Sequence, residues 1–98
     1  MIRVVVQDEK GNEVSRGVDV PTGVLARPDD LRFSCLRFVD PYGDTVFNRL
    51  QLAPLLEDLR LLRDSCNSSQ DEGVLQQIEA LIERCEGEPH LYVKMIGD

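Results

Sequence analysis

Tryptophan is missing from this 98-residue chain, which carries three phenylalanines, two tyrosines and a single histidine. So few aromatic rings cannot both fill a core and build the stacking platforms on which single-stranded nucleic acids are bound. One histidine, His90, rules out a histidine-rich zinc site. Any Ser-His or Cys-His catalytic pair would have to use His90, and no G-x-S-x-G nucleophile motif accompanies it. The seven glycines form neither G-x-G-x-x-G nor G-x-x-x-x-G-K, so no recognised phosphate-cradling loop is present. Cys35, Cys66 and Cys85 are odd in number and widely spaced, with no C-x-x-C pair. That pattern argues against a disulfide framework and for buried free thiols acting as small apolar side chains. Long hydrophobic runs are absent too, and nothing approaches the ~20 residues that span a bilayer. Met1–Val6 is too short for a signal-peptide core and is interrupted at once by Gln7 and Asp8, so the expected compartment is the cytoplasm.

What the chain has in excess is negative charge, distributed unevenly. The formal net charge is −7 at pH 7. Residues 1–49 carry 8 acids against 7 bases, whereas residues 50–98 carry 10 acids against 4. A field of that sign repels phosphate backbones and anionic membranes and attracts basic partners. Arg3, Arg16, Arg27, Arg32, Arg37 and Arg49 do gather in the N-terminal half. Acids are interspersed among them, so nucleic-acid binding is not expected. With 42% hydrophobic and 30% charged residues, the composition is that of one globular domain spanning residues 1–98.

Periodicity divides the chain into elements. Ile2, Val4 and Val6 alternate with Arg3, Val5 and Gln7, the spacing of a strand. Gly11-Asn12 supplies a turn, and Val14, Val18 and Val20 continue as a return strand that Pro21 closes. Phe33, Cys35, Leu36, Phe38 and Val39 predict a central strand buried on both faces. Asp40-Pro41-Tyr42-Gly43-Asp44 reads as a turn leading to a short antiparallel partner, Thr45–Phe47. Leu52, Leu55, Leu56, Leu59, Leu62 and Cys66 form one helical stripe, with Pro54 admissible only in the first turn. Glu57, Asp58, Arg60, Arg63 and Asp64 are expected to face water. Ser69 and Glu72 have capping-box spacing ahead of a second stripe, Val74, Leu75, Ile78, Leu81, Ile82 and Cys85. Gly87 and Pro89 stop that helix, and Leu91–Ile96 alternates as a last strand. The expected order is ββββααβ. It describes an α+β domain with a mostly antiparallel sheet of four or five strands, covered on one face by a helical hairpin. Leu59, Leu62, Ile78, Leu81 and Ile82 are expected to pack against Val4, Val6, Leu36 or Phe38, and Val93.

Two function classes remain. The first is a non-enzymatic protein-binding module, an inhibitor or immunity-type protein for a basic partner, using Glu57, Asp64, Glu79, Glu83 and Glu86 on the helices. The second is a small metal-dependent hydrolase built from Asp40, Asp44, His90 and Asp98. The aspartates around the 40–44 turn could converge on a hard cation, but Gln51 stands where an EF-hand loop requires glutamate. The plainer expectation is that Asp40 and Asp44 bond the backbone of their own turn. No cofactor is implied, and either a monomer or a homodimer is compatible with the sequence.

The stretches Leu36-Arg37-Phe38-Val39-Asp40-Pro41-Tyr42-Gly43-Asp44-Thr45-Val46-Phe47-Asn48 and Pro89-His90-Leu91-Tyr92-Val93-Lys94-Met95-Ile96-Gly97-Asp98 resemble a family of small uncharacterised bacterial proteins. The likeness implies no activity, ligand or site residue. In size, acidity and helix-on-sheet layout the chain is also similar to some immunity proteins that neutralise basic nuclease toxins, a likeness of architecture alone.

Overall fold

The computed structural model describes all 98 residues. It is an α+β domain built on a four-stranded antiparallel sheet of spatial order β2-β1-β4-β3. The strands are β1 (Ile2–Gln7), β2 (Val18–Val20), β3 (Asp44–Phe47) and β4 (Tyr92–Ile96). One short helix, α1 (Thr22–Leu25), follows β2, and two long ones, α2 (Leu52–Ser65) and α3 (Ser69–Glu86), stand between β3 and β4. The two chain ends thus supply the central pair of strands. β1 and β4 run side by side from Arg3↔Ile96 to Gln7↔Tyr92, and Met1 and Asp98 close the end of the ladder with an ion pair at 3.2 Å.

Pairing sorts the side chains into two faces, since directly opposed residues in an antiparallel ladder point the same way. Ile2, Val4 and Val6 share one face with Val20, Met95, Val93 and Phe47, and all seven are buried in the main core. α2 contributes Leu52, Leu55, Leu56, Leu59 and Leu62 to that core, and α3 contributes Leu75, Ile78, Ile82 and Cys85. α3 packs against α2 and against β1, β2 and β4. Leu81 is half-buried at the edge of the core. On the opposite face the cross-strand row Val5–Lys94–Val46 includes one fully buried residue, Val5. Its neighbour Lys94 is largely buried along its stem and reaches Asp44 at 3.5 Å.

The expected strand over Phe33–Val39 does not form. Phe33, Cys35, Leu36 and Val39 are buried as predicted, but the backbone makes only a 3₁₀ turn at Leu36–Phe38, and Phe38 points outward with 63% exposure. β3 therefore pairs with β4 rather than with this segment. The observed order becomes ββαβααβ once α1 is included. The physical reason is hydrogen bonding. A buried segment must satisfy its N–H groups, and here Asp58 of α2 takes those of Ser34, Cys35 and Leu36.

The second strand is also shorter than its alternation suggests. Gln7 bridges Glu13, yet Val4 pairs with Val18, so two extra residues are looped out opposite Val5 and Val6. The Ser15 hydroxyl accepts the Val6 N–H at 3.1 Å, and Val14 is left exposed. The turn before it behaves as predicted. Gly11 has φ +86°, and Asp8 accepts from the Lys10 and Asn12 N–H groups. At the far end of β4, Gly97 lies so close to the carbonyls of Asp40 and Pro41 that a side chain could not fit without moving backbone.

α2 begins at Leu52 with Pro54 in its first turn, as expected. A capping box precedes it at Asn48 and Gln51, closing a 3₁₀ turn over Arg49–Gln51. The cap of α3 is Ser68, one residue earlier than predicted, with its hydroxyl accepting from Asp71 N.

Candidate protein-binding surface

Neither long helix has a purely apolar inner stripe. Leu55, Asp58, Leu59 and Leu62 share the buried side of α2, and Leu75, Ile78, Glu79 and Ile82 share that of α3. Asp58 and Glu79 are each only 5% exposed. Both departures from the expected water-facing acids follow from helical spacing, for each acid sits three residues from one apolar core position and next to another. That signal was present in the sequence, hidden by the residue type.

The two carboxylates are neutralised in different ways. Asp58 Oδ2 accepts from Cys35 N at 2.7 Å and Leu36 N at 3.0 Å, while Oδ1 faces Ser34 N at 3.3 Å. It works as a buried anchor, tying the 34–36 segment to α2. Glu79 faces α2, where Arg63 Nη1 lies 3.0 Å from Oε2 and Arg60 Nε 3.8 Å from Oε1. Oε2 is buried without an aligned hydrogen bond, so charge rather than directed bonding holds it. Glu79 is thus an interhelical ion-pair member rather than a free docking charge, which corrects its place among the expected partner-binding residues.

The remaining four of that set are exposed. Arg60 reaches Glu83 at 3.8 Å as well as Glu79, fixing the middle of α2 beside the second half of α3. Glu57 and Asp64 lie about one turn to either side of Arg60 on α2, and Glu86 one turn beyond Glu83 on α3. The helix pair therefore presents exposed Glu57, Asp64, Glu83 and Glu86 about Arg60, with Arg84 of α3 exposed as well.

The hydrolase residues have separate occupations. Asp40 Oδ1 accepts from Tyr42 N at 2.9 Å, closing its own turn. Asp44 pairs with Lys94 rather than with turn backbone, and Asp98 pairs with the N-terminus. His90 stands in a left-handed conformation, φ 68°, with Nδ1 3.3 Å from Glu9 Oε2. No three His, Cys, Asp or Glu side chains are gathered so as to hold a metal ion. Of the four, only His90 lines a groove.

That groove, about 460 Å³, lies where β3 runs out into the Arg49–Gln51 turn and the chain re-enters at β4. A second depression of about 400 Å³ sits under the α2–α3 connection beside Arg27, Leu62, Cys66 and Asp71. The three thiols are free. Burial pushes those of Cys35 and Cys85 above the ordinary thiol value, and the Asp58 charge adds to the shift at Cys35. Cys66, which caps α2, is half-buried.

Fold and surface together define an acidic α+β domain with a charged helix pair and no helix long and apolar enough to cross a membrane. Compared with protein-family models, curated proteins and solved structures, the chain matches none.

Proposed function

We propose that this chain is a small non-enzymatic module that binds a basic protein through its helix pair, in the manner of an inhibitor or immunity-type protein. In this reading α2 and α3 form a hairpin over one face of the sheet and offer their outer side to the partner. The observation that carries it is the grouping of exposed Glu57, Asp64, Glu83 and Glu86 around Arg60. Like charges held on one surface repel one another, and a cationic partner relieves that repulsion.

Exposed charges of this kind act mainly on encounter, so neutralising them slows association more than it speeds dissociation. The test is association kinetics with a partner recovered from the native host. Wild type is compared with a Glu57→Gln, Glu83→Gln, Glu86→Gln triple variant at low and high salt. Glu79 is left intact because its removal would strand Arg63. A fall in association rate of roughly tenfold, confined to low salt, is expected. Equal rates for both proteins with no salt dependence would reduce these acids to a solubilising surface.

A further inference from the structure

The groove at the end of the β3–β4 pair differs from the rest of the surface. It is lined by Asn48, Arg49, Leu50, Pro89, Leu91 and Tyr92, with the His90 ring among them, and none of these is an acid. In a chain with 18 acids and 11 bases, that is the local inverse of the global charge. Arg49 is exposed and takes part in none of the ion pairs of the molecule. Beside it Leu50 is 78% exposed, a large apolar side chain with little cover.

One wall is tied down by its own hydrogen bonds. The Asn48 carboxamide accepts from Leu50 N at 2.9 Å, and Gln51 Oε1 accepts from Asn48 N at 2.9 Å. On the other wall, His90 occupies the left-handed region, which costs a non-glycine residue free energy and persists only where surroundings impose it. Pro89, whose own φ is fixed by its ring, precedes it, and Glu9 Oε2 lies 3.3 Å from the His90 Nδ1. The groove offers an apolar side and one forked donor, the two kinds of contact that a small amphipathic ligand needs.

We infer that this groove binds an amphipathic carboxylate: its apolar body lies against Leu50, Pro89, Leu91 and Tyr92, and its carboxylate takes the Arg49 guanidinium. Guanidinium and carboxylate match as paired parallel hydrogen bonds, which a neutral amide cannot reproduce. The carboxylate can belong to a free organic acid or to the C-terminal residue of a peptide. The site shares no residue with the acidic helix pair and stands or falls independently of the function proposed above.

The experiment is a two-dimensional ¹⁵N–¹H NMR titration of the whole chain with three probes: N-acetyl-leucine, its neutral carboxamide, and an acetyl-Gly-Gly-Leu peptide with a free C-terminus. N-acetyl-leucine should give saturable shifts at the amides of Arg49, Leu50, His90, Leu91 and Tyr92, with a Kd on the order of millimolar for so small a probe. The carboxamide should bind at least ten times more weakly. Arg49→Gln, a change at an exposed side chain, should erase that difference, while Leu50→Ser should weaken acid and amide alike. Tighter binding of the tripeptide than of N-acetyl-leucine assigns the site to peptide C-termini, and the reverse order assigns it to free acids. Unsaturable shifts, equal binding of acid and amide, or an Arg49→Gln variant that still prefers the acid would each overturn the inference.

Discussion

Replacing Asp58 with alanine should be among the most damaging single changes in this protein. The side chain is 5% exposed, and its Oδ2 receives two buried backbone donors, Cys35 N at 2.7 Å and Leu36 N at 3.0 Å. Each stranded N–H costs about 1–3 kcal/mol once its acceptor is gone. Ser34 is exposed, so its own N–H, 3.3 Å from Oδ1, can turn to water at little cost. The two buried donors therefore place Asp58→Ala at about 3–5 kcal/mol, with water entry from the Ser34 side keeping it below the upper sum. Asp58→Asn keeps one acceptor oxygen but loses the charge that roughly doubles such bonds, and should cost about 1–2 kcal/mol. Glu57→Ala, one residue away and exposed, should stay within about 0.5 kcal/mol of wild type. Urea unfolding gives the three values, and native-state hydrogen exchange gives their location. The Cys35 and Leu36 amides should lose protection in both Asp58 variants before the β1–β4 ladder does. If Asp58→Ala unfolds at the wild-type urea midpoint, or if those two amides exchange no faster, the anchor role is wrong.

Ile78→Ala, which empties a fully buried position in the core, should cost about 2–5 kcal/mol by urea unfolding, while Glu83→Ala should cost little. The bidentate contact from Arg32 holds the Asp30 carboxyl down to about 2, from an ordinary 3.8. A folded-state value below the unfolded one stabilises the protein fully above the ordinary value, and that contribution is lost as pH falls toward about 2. A ¹³C carboxyl titration should show this directly, with Arg32→Ala returning Asp30 to the ordinary range. Iodoacetamide under native conditions should modify Cys66 first, because burial suppresses the thiolates of Cys35 and Cys85. Mass spectrometry showing Cys85 labelled as fast as Cys66 would contradict the packing of α3. Added Mg²⁺, Ca²⁺, Mn²⁺ or Zn²⁺ should leave the melting temperature unchanged, and a saturable rise abolished by Asp44→Asn would revive the hydrolase reading.

Read alone, the sequence determined the elements whose signal is local and repeated. β1 and β4 follow from apolar residues at every second position without an internal proline, α2 and α3 from leucine and isoleucine at helical spacing, and the Gly11 turn from a residue that accepts positive φ. It also located the net negative charge on the helices. Tertiary structure decided everything that depends on a partner distant in the chain. Apolar side chains at Phe33, Cys35, Leu36 and Val39 report that the segment is buried, but not what bonds its backbone. A strand neighbour and the carboxylate of Asp58, 22 to 24 residues on, answer that need equally well, and only the assembled fold selects between them. The same holds for the pairing of β3 with β4 and for the burial of Glu79. Glu79 on its apolar stripe can be buried because Arg63 of the neighbouring helix reaches it, and Arg63 does so only after α2 and α3 have packed.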